Sequence, residues 1–564
     1  MKKICFFFNF IALFLFLLLK ENISAGDQRP ATNNSNFEYI TVVIPFRGRS
    51  YWQDFSRVTP LFELLNAKNI SSTVLLQYET LNDREVTQYL KNLSSNFELG
   101  LFLEVDESLA QNSQASYLYG IGDRAQANKI LLSGYEVAER KRMVDKVFNR
   151  FHSIFGKYPK SVGSWHIDAL TQGYLKEKYN ITSVLDVADQ YQTDTYGIWG
   201  KPWGIAYIPS KFNPLVPFQN QTDNSGLVKI QWAFRDPVKG YGLTVKDSTY
   251  SVQANDYVSF HNLDTDYFSH LAGIYLRSLN QNHISQLTIG LEAGQESSQF
   301  LDELERQIEV LKKYNFVTMK EFADAFDTNS TSPLSLVIVG QDYDDSNSKA
   351  FWFNFSKYRS YIAYEKNQLI LKDLRIYKKE SFYSDLFYKD ANTKLERIVP
   401  SCIDNARFGQ KIILLDEIKS VNVIRFGNGF ILKTINKNGK ENIISLSNDG
   451  IRLGNKEIIP LTINKLESNL FTDNFLNLIF SFQRSRRSKS KVIPAYSKIG
   501  GSFYFGLPFY PDKLVGITDK LPFIGIFEFP FQVLSKFKTI DLEKLSFVYA
   551  LSFVNLGINC KINL

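Results

Sequence analysis

The sequence predicts an α/β chain, a (β/α)7 barrel followed by a C-terminal antiparallel β domain, on three observations. At 564 residues, 44% apolar and 22% charged, the chain is too long for one ordinary domain and too mixed for a disordered, fibrous or polytopic membrane protein. From Tyr39 to about Phe326 short β-branched runs alternate with amphipathic stretches, the pattern of a parallel sheet with crossover helices. Asp327 to Pro333 is then polar, and beyond it strands joined by tight turns replace the alternation.

The predicted barrel strands run from Tyr39 to Ile44, Ser72 to Gln77, Glu98 to Val105, Ser161 to Trp165, Thr182 to Val187, Val228 to Trp232 and Gln286 to Glu292. After the third strand, Ser133 to Glu136 has the spacing of a capping box. Val144, Val147, Phe151 and Ile154 then share one helical face, and Gly156 ends the helix. Leu301, Leu304, Ile308 and Leu311 predict a second amphipathic helix. In the C-terminal region Asn428-Gly429, Asn438-Gly439 and Gly454-Asn455 are turn signals between apolar alternations. The division expected is 1–25 as an address segment, 38–327 as the barrel and 334–564 as the β domain.

Lys2 and Lys3 precede an apolar run from Ile4 to Leu19, followed by Ser24-Ala25-Gly26. That is the layout of a secretory signal, or of an N-terminal anchor if it is not cleaved, so an exported protein with possible membrane attachment through this segment is expected. Lys+Arg exceeds Asp+Glu by 65 − 58 = 7, but the charge is spread along the chain, which argues against a nucleic-acid partner. The one basic run, Arg484 to Lys491, reads as a solvated loop or a contact to an anionic envelope polymer. Cys5, Cys402 and Cys560 exclude a disulfide-rich scaffold and a paired-cysteine metal site, leaving Cys402 and Cys560 as a possible pair. Five histidines without metal-binding spacing point to no metal, and no cofactor motif is present.

In an α/β barrel the chemistry collects at the carboxyl ends of the strands. The residues there are Arg47, Arg49, Gln77, Glu104, Asp106, His166, Asp168, Asp186, Asp189, Arg235, Asp236 and Glu292. Glu104 and Glu292 each follow a strand too apolar to carry a carboxylate unless it faces a pocket. Alternation along Leu287 to Glu292 sets Thr288, Gly290 and Glu292 on one face. Trp165, Trp199, Trp203 and Trp232 gather in one barrel sector with interleaved glycines, as stacking platforms for sugar rings or as core.

Phe97-Glu98-Leu99-Gly100, Phe155 to Gly163, and Leu287 to Glu292 followed by a helix and Tyr314 to Met319 resemble, in order and wording, the motifs of the NodB-type polysaccharide deacetylase superfamily. The resemblance covers residues 38 to 327 and implies a deacetylase-like barrel, with a glycan as partner. Active members hold a divalent metal with an aspartate and two histidines. Here the first strand ends in Ile44-Pro45-Phe46-Arg47, the histidine positions fall on Phe102 and Asp106, and the histidine after the last strand falls on Glu292. Tight zinc is therefore not expected, although Glu104, Asp106 and Asp168 could offer oxygens to a harder ion. The expected function is hydrolysis of a glycosidic or N-acyl bond of an envelope or extracellular polysaccharide. Its carboxylate pair would come from Glu104, Asp168 and Glu292, with Arg47, Gln77, Trp165, His166, Trp199, Trp203, Trp232, Arg235 and Asp236 binding substrate. The alternative is an inactive barrel that binds glycans or serves the envelope structurally.

Overall fold

The computed structural model describes residues 38–117, 126–191, 194–277, 284–326, 334–377, 389 and 395–454, with the strand backbones at 279–280, 456–460, 495–499, 502–507 and 547–549. The address segment 1–25, the basic run Arg484 to Lys491 and the Cys402–Cys560 pairing, through Cys560, lie outside the described residues.

Seven strands form a nearly closed parallel barrel: β1 (Glu38–Phe46), β2 (Ser72–Leu76), β3 (Phe97–Phe102), β4 (Ser161–Gly163), β5 (Ser183–Val187), β6 (Val228–Trp232) and β7 (Ser285–Ile289). Their order is β7-β1-β2-β3-β4-β5-β6, every pairing parallel, with Ile40 beside Leu287 and Val42 beside Ser72. Parallel strands are covered on both faces and read as continuous apolar runs. In β1 every residue from Ile40 to Phe46 is accordingly buried.

β7 stops earlier than the alternation predicts. Gly290 has φ +150°, and a Cβ there would lie 1.8 Å from the Val43 carbonyl oxygen. The chain turns at this close approach to β1, so the period of two does not reach Glu292.

Helix α1 (Val137–Phe155) is capped by Glu136 and Glu139, each side chain accepting from the other's backbone N–H. The predicted box at Ser133 lies one turn too early, because Ser133 belongs to a buried 3-10 turn, Leu132–Gly134. Gly156, at φ 71°, ends α1 as expected. α2 (Ala169–Tyr179) follows β4, and α3 (Ser297–Leu311) buries Leu304, Ile308 and Leu311.

The β domain begins with the antiparallel meander β8 (Ser335–Gln341), β9 (Lys349–Phe355), β10 (Tyr358–Glu365) and β11 (Gln368–Ile376). A second antiparallel sheet holds β12 (Ile418–Phe426), β13 (Gly429–Asn436), β14 (Glu441–Ser447) and β15 (Gly450–Leu453). Val337, Phe353 and Leu371 of the first sheet share a core with Phe430, Leu432 and Ile444 of the second. Gly429 already pairs with Phe426, so the first hairpin turns on Gly427 and Asn428, one position before the predicted pair.

Barrel and β domain are joined by more than the chain. β8 pairs with Leu279–Asn280, and a short strand on the loop after β5, Tyr196–Trp199, pairs in parallel with Leu395–Ile398. Trp352 and Tyr361 of the meander belong to the same apolar cluster as the barrel core.

Candidate functional site

At the carboxyl end of the barrel, Arg47 follows β1, Glu104 follows β3 and Glu292 follows β7. Trp52 fixes the first of these by donating its indole N–H to the Arg47 carbonyl at 2.8 Å. Arg47 Nε and Nη2 donate to the two oxygens of Glu104 at 2.6 and 2.9 Å, and Nη1 donates to Glu292. The guanidinium also lies against the rings of Tyr51, Phe102 and Trp165, 5.0 to 5.5 Å from their centroids. Burial opposes its charge, but Glu104 and Glu292 outweigh that and hold Arg47 well above the ordinary guanidinium range. Glu104 is 2% exposed, whereas the Glu292 side chain is 14% exposed. Burial, with Glu104 and Asp194 nearby, pushes Glu292 above the usual carboxylate range against the pull of Arg47.

Three further carboxylates share this electrostatic field. Glu296 accepts from the Glu292 backbone N–H at 2.9 Å and from Asn255 at 2.8 Å; burial and then Glu292 raise its pKa strongly. Asp194, at the tip of the loop that carries Tyr196, accepts from the Tyr196 hydroxyl at 3.0 Å. The protein packed around it raises its pKa, and the Tyr196 bond opposes this. Asp256 accepts from Ser251 at 2.6 Å and from Arg235 Nη1 at 3.2 Å. Burial lifts it to about 6, with Arg235 pulling down and Asp194 pushing up. Arg235 completes the wall by donating to the Asp189 carbonyl at 3.0 Å and to Gln190 at 2.8 Å. None of Asp194, Asp256 and Glu296 directly follows a barrel strand, so reading strand ends missed them. Only Glu296, four residues after Glu292 at the start of α3, left a signal in the sequence.

A Parabacteroides distasonis protein assigned as a glycoside hydrolase/deacetylase matches with a TM-score of 0.50 at 17% identity, over 67% of this chain and 93% of that one. The barrel has the glycoside hydrolase/deacetylase fold. It is the fold of the NodB-type polysaccharide deacetylase superfamily that the motif order resembles. More distant matches include a Pseudomonas aeruginosa protein assigned as a polysaccharide deacetylase, at 12% identity over 54% of this chain and 95% of that one, TM-score 0.32. Another is an allantoinase, at 12% identity over 55% and 98%, TM-score 0.32. A family described as a domain of unknown function with a solved structure, DUF3863, matches residues 114–348, under half of the chain. That stretch begins ahead of α1 and runs through β8, so it spans the passage from barrel to β domain. No curated protein matches the chain.

Several residues expected at the mouth of this deacetylase-type barrel are taken up by its architecture instead. Asp168 caps α2, accepting from the Thr171 N–H at 3.0 Å and its hydroxyl at 2.7 Å, and pairs with Arg140 at 3.2 Å, both side chains 1% exposed. Arg47 therefore brings together Glu104 and Glu292, and Asp168 is not among its partners. Asp236 caps a turn through the Val238 and Lys239 N–H groups and accepts from Tyr267. Trp199 and Trp203 are buried core, Trp203 stacked on Trp352 at 3.9 Å, so the sugar-platform expectation gives way to packing at these two positions. Trp165 meets Phe102 at 5.2 Å and Trp232 at 6.0 Å beside Arg47. Gln77 accepts from the Gly48 N–H at 3.0 Å, which fixes the turn after Arg47. His166 is buried within the field of Asp186.

The superfamily's divalent metal does not fit these residues. A guanidinium occupies the position between Glu104 and Glu292, where a second cation would be repelled, and Phe102 offers no donor. The oxygen set considered for a harder ion is dispersed as well, since Asp106 caps the helix Glu107–Asn112 and Asp168 caps α2. Among the described residues no group of three or more His, Cys, Asp and Glu side chains is arranged to hold a metal ion. The arrangement does offer one partly open carboxyl group that resists ionisation, Glu292, beside a cation and a second carboxylate.

Proposed function

We propose that the protein is an exported, carbohydrate-directed hydrolase that binds a glycan at the barrel mouth and cleaves a glycosidic or N-acyl bond there. Arg47 carries this reading: it draws Glu104 and Glu292 onto one guanidinium while Glu292 stays partly open and hard to ionise. A carboxyl group whose pKa is raised by burial is suited to give a proton to a leaving group. Glu104, on the other edge of the guanidinium, is the base or nucleophile of the pair, and Arg47 keeps the two in register. The fold likeness to a protein assigned as a glycoside hydrolase/deacetylase supports the substrate class.

The test is incubation with N-acetylated and unacetylated oligosaccharides, following released acetate and new reducing ends separately. Wild type should release one of the two. Glu292→Gln should lose the release about 100-fold or more while calorimetric binding survives. A second reading, a glycan-binding module, is favoured by the bidentate grip of Arg47 on Glu104. Binding without either product in wild type would establish it, and absence of both binding and release would overturn the carbohydrate reading. Export rests on Lys2 to Ala25, and recovery of the full-length chain from the cytosol on cell fractionation would contradict it.

A further inference from the structure

The mouth loop that follows β5 is held from outside the barrel. Arg359, on β10, sends Nη1 to Asp189 Oδ2 at 2.5 Å and to the Lys201 carbonyl at 2.6 Å. The Gly200 N–H donates to the same Asp189 oxygen at 2.9 Å. Asp189 faces the mouth with its backbone, because its carbonyl accepts from Arg235 Nε, and the next residue, Gln190, accepts from Arg235 Nη2. Arg235 in turn holds Asp256. At the loop's other end the Leu395 N–H donates to the Thr195 carbonyl, next to Asp194. Two β-domain anchors thus bracket the loop that brings Asp194 and Tyr196 to the mouth.

We infer that Arg359 is a positioning residue of the mouth, acting through Asp189 on Arg235 and thereby on Asp256, so that the β domain is part of the functional site. The inference rests on the mouth being that site, but its test needs no substrate, so its failure and that of the hydrolase reading are separable. Carbodiimide with a small amine labels protonated carboxyl groups, and peptide mass spectrometry reads Asp256 between pH 5 and 8. In the intact chain Arg235 opposes protonation of Asp256. In Arg359→Gln, Arg235 loses its support and the Asp256 profile should move up by about one pH unit, which is about fivefold more labelling at pH 7. Arg359→Lys, which can still reach Asp189, should restore part of the shift. Labelling of the distant Glu309 and Glu441 should not change. Lys357→Ala removes a solvent-facing pair with Asp449 just before β10 and should leave Asp256 untouched. If Arg359→Gln does not fold, the double variant Asp189→Asn, Arg359→Gln removes both charges together and should show the same shift. An unchanged Asp256 profile in either folded variant, or an equal shift in Lys357→Ala, would overturn the inference.

Discussion

Two clusters of charge sit at opposite ends of one hydrogen-bond chain and are built on different plans. The seam between barrel and β domain holds Asp189, Asp373 and Asp404 against Arg359 and Arg375. Every one of these side chains is at most 2% exposed, and Asp373 accepts from both arginines at 3.1 and 2.9 Å. Burial opposes the charge of Arg359, and Asp189 and Asp373 reverse that and hold it above its ordinary value. Among the described residues the mouth holds Glu104, Asp194, Asp256, Glu292 and Glu296 against Arg47 and Arg235. There four carboxylates resist ionisation: burial raises Asp194, Asp256, Glu292 and Glu296, and carboxylate neighbours add to it. A seam that only has to hold matches its ions closely. The mouth leaves its acids short of cations, as a site for proton transfer requires.

That contrast can be broken most severely at the seam. Asp404→Ala leaves Arg375 buried with one of its carboxylate partners gone and should cost about 3–5 kcal/mol in urea unfolding. At the mouth, Arg47→Met leaves Glu104 and Glu292 facing each other without a cation. It should cost about 3 kcal/mol near neutral pH, and the loss should shrink on acidification. The unpaired carboxyl groups then bind protons more tightly folded than unfolded, so their support is present at low pH and disappears as pH rises. Melting temperatures across pH 4 to 8 check this. A comparable effect isolates Asp256, raised from 3.8 to about 6. Its contribution is complete below about pH 4 and is lost as pH climbs through about 6, roughly 3 kcal/mol in all. Asp256→Asn should flatten the stability curve in that window, and a slope equal to wild type would show that another group causes it. Smallest of all, Lys68→Ala, which cuts an exposed bridge to Glu305 and Glu309 far from both clusters, should leave the unfolding midpoint unchanged.

The barrel was legible because parallel strands buried on both faces advertise themselves as apolar runs. Arg47, Glu104 and Glu292 were legible because each comes within three residues of the end of one. What failed shared a cause, since one residue type serves two ends. Asp168 before Ala169-Leu170-Thr171 has the spacing of a helix cap as well as the place of a catalytic acid. The tryptophans of the loop after β5 have the spacing of a sugar platform, but Trp203 stacks instead on Trp352 of another domain and Trp199 packs against Trp203 and Tyr241. Asp194 and Asp256 reach the mouth on loops, and nothing local in the sequence says where a loop returns. The partner of Asp189 is 170 positions away, beyond any periodicity.

The parallel pairing of Tyr196 with Leu395 also constrains the order in which the molecule can be finished. A growing chain that has released every barrel strand, ending with Ile289, still lacks the strand that fixes the loop after β5, and 395 − 196 = 199 residues separate the two partners. Closing a contact of that span is slow, and until it closes the edge of Tyr196–Trp199 stands unpaired. The mouth is therefore among the last parts of the protein to become native. Chains interrupted between the barrel and Ile398 would carry Asp194 beside an open strand edge, the form of the molecule most in need of a chaperone.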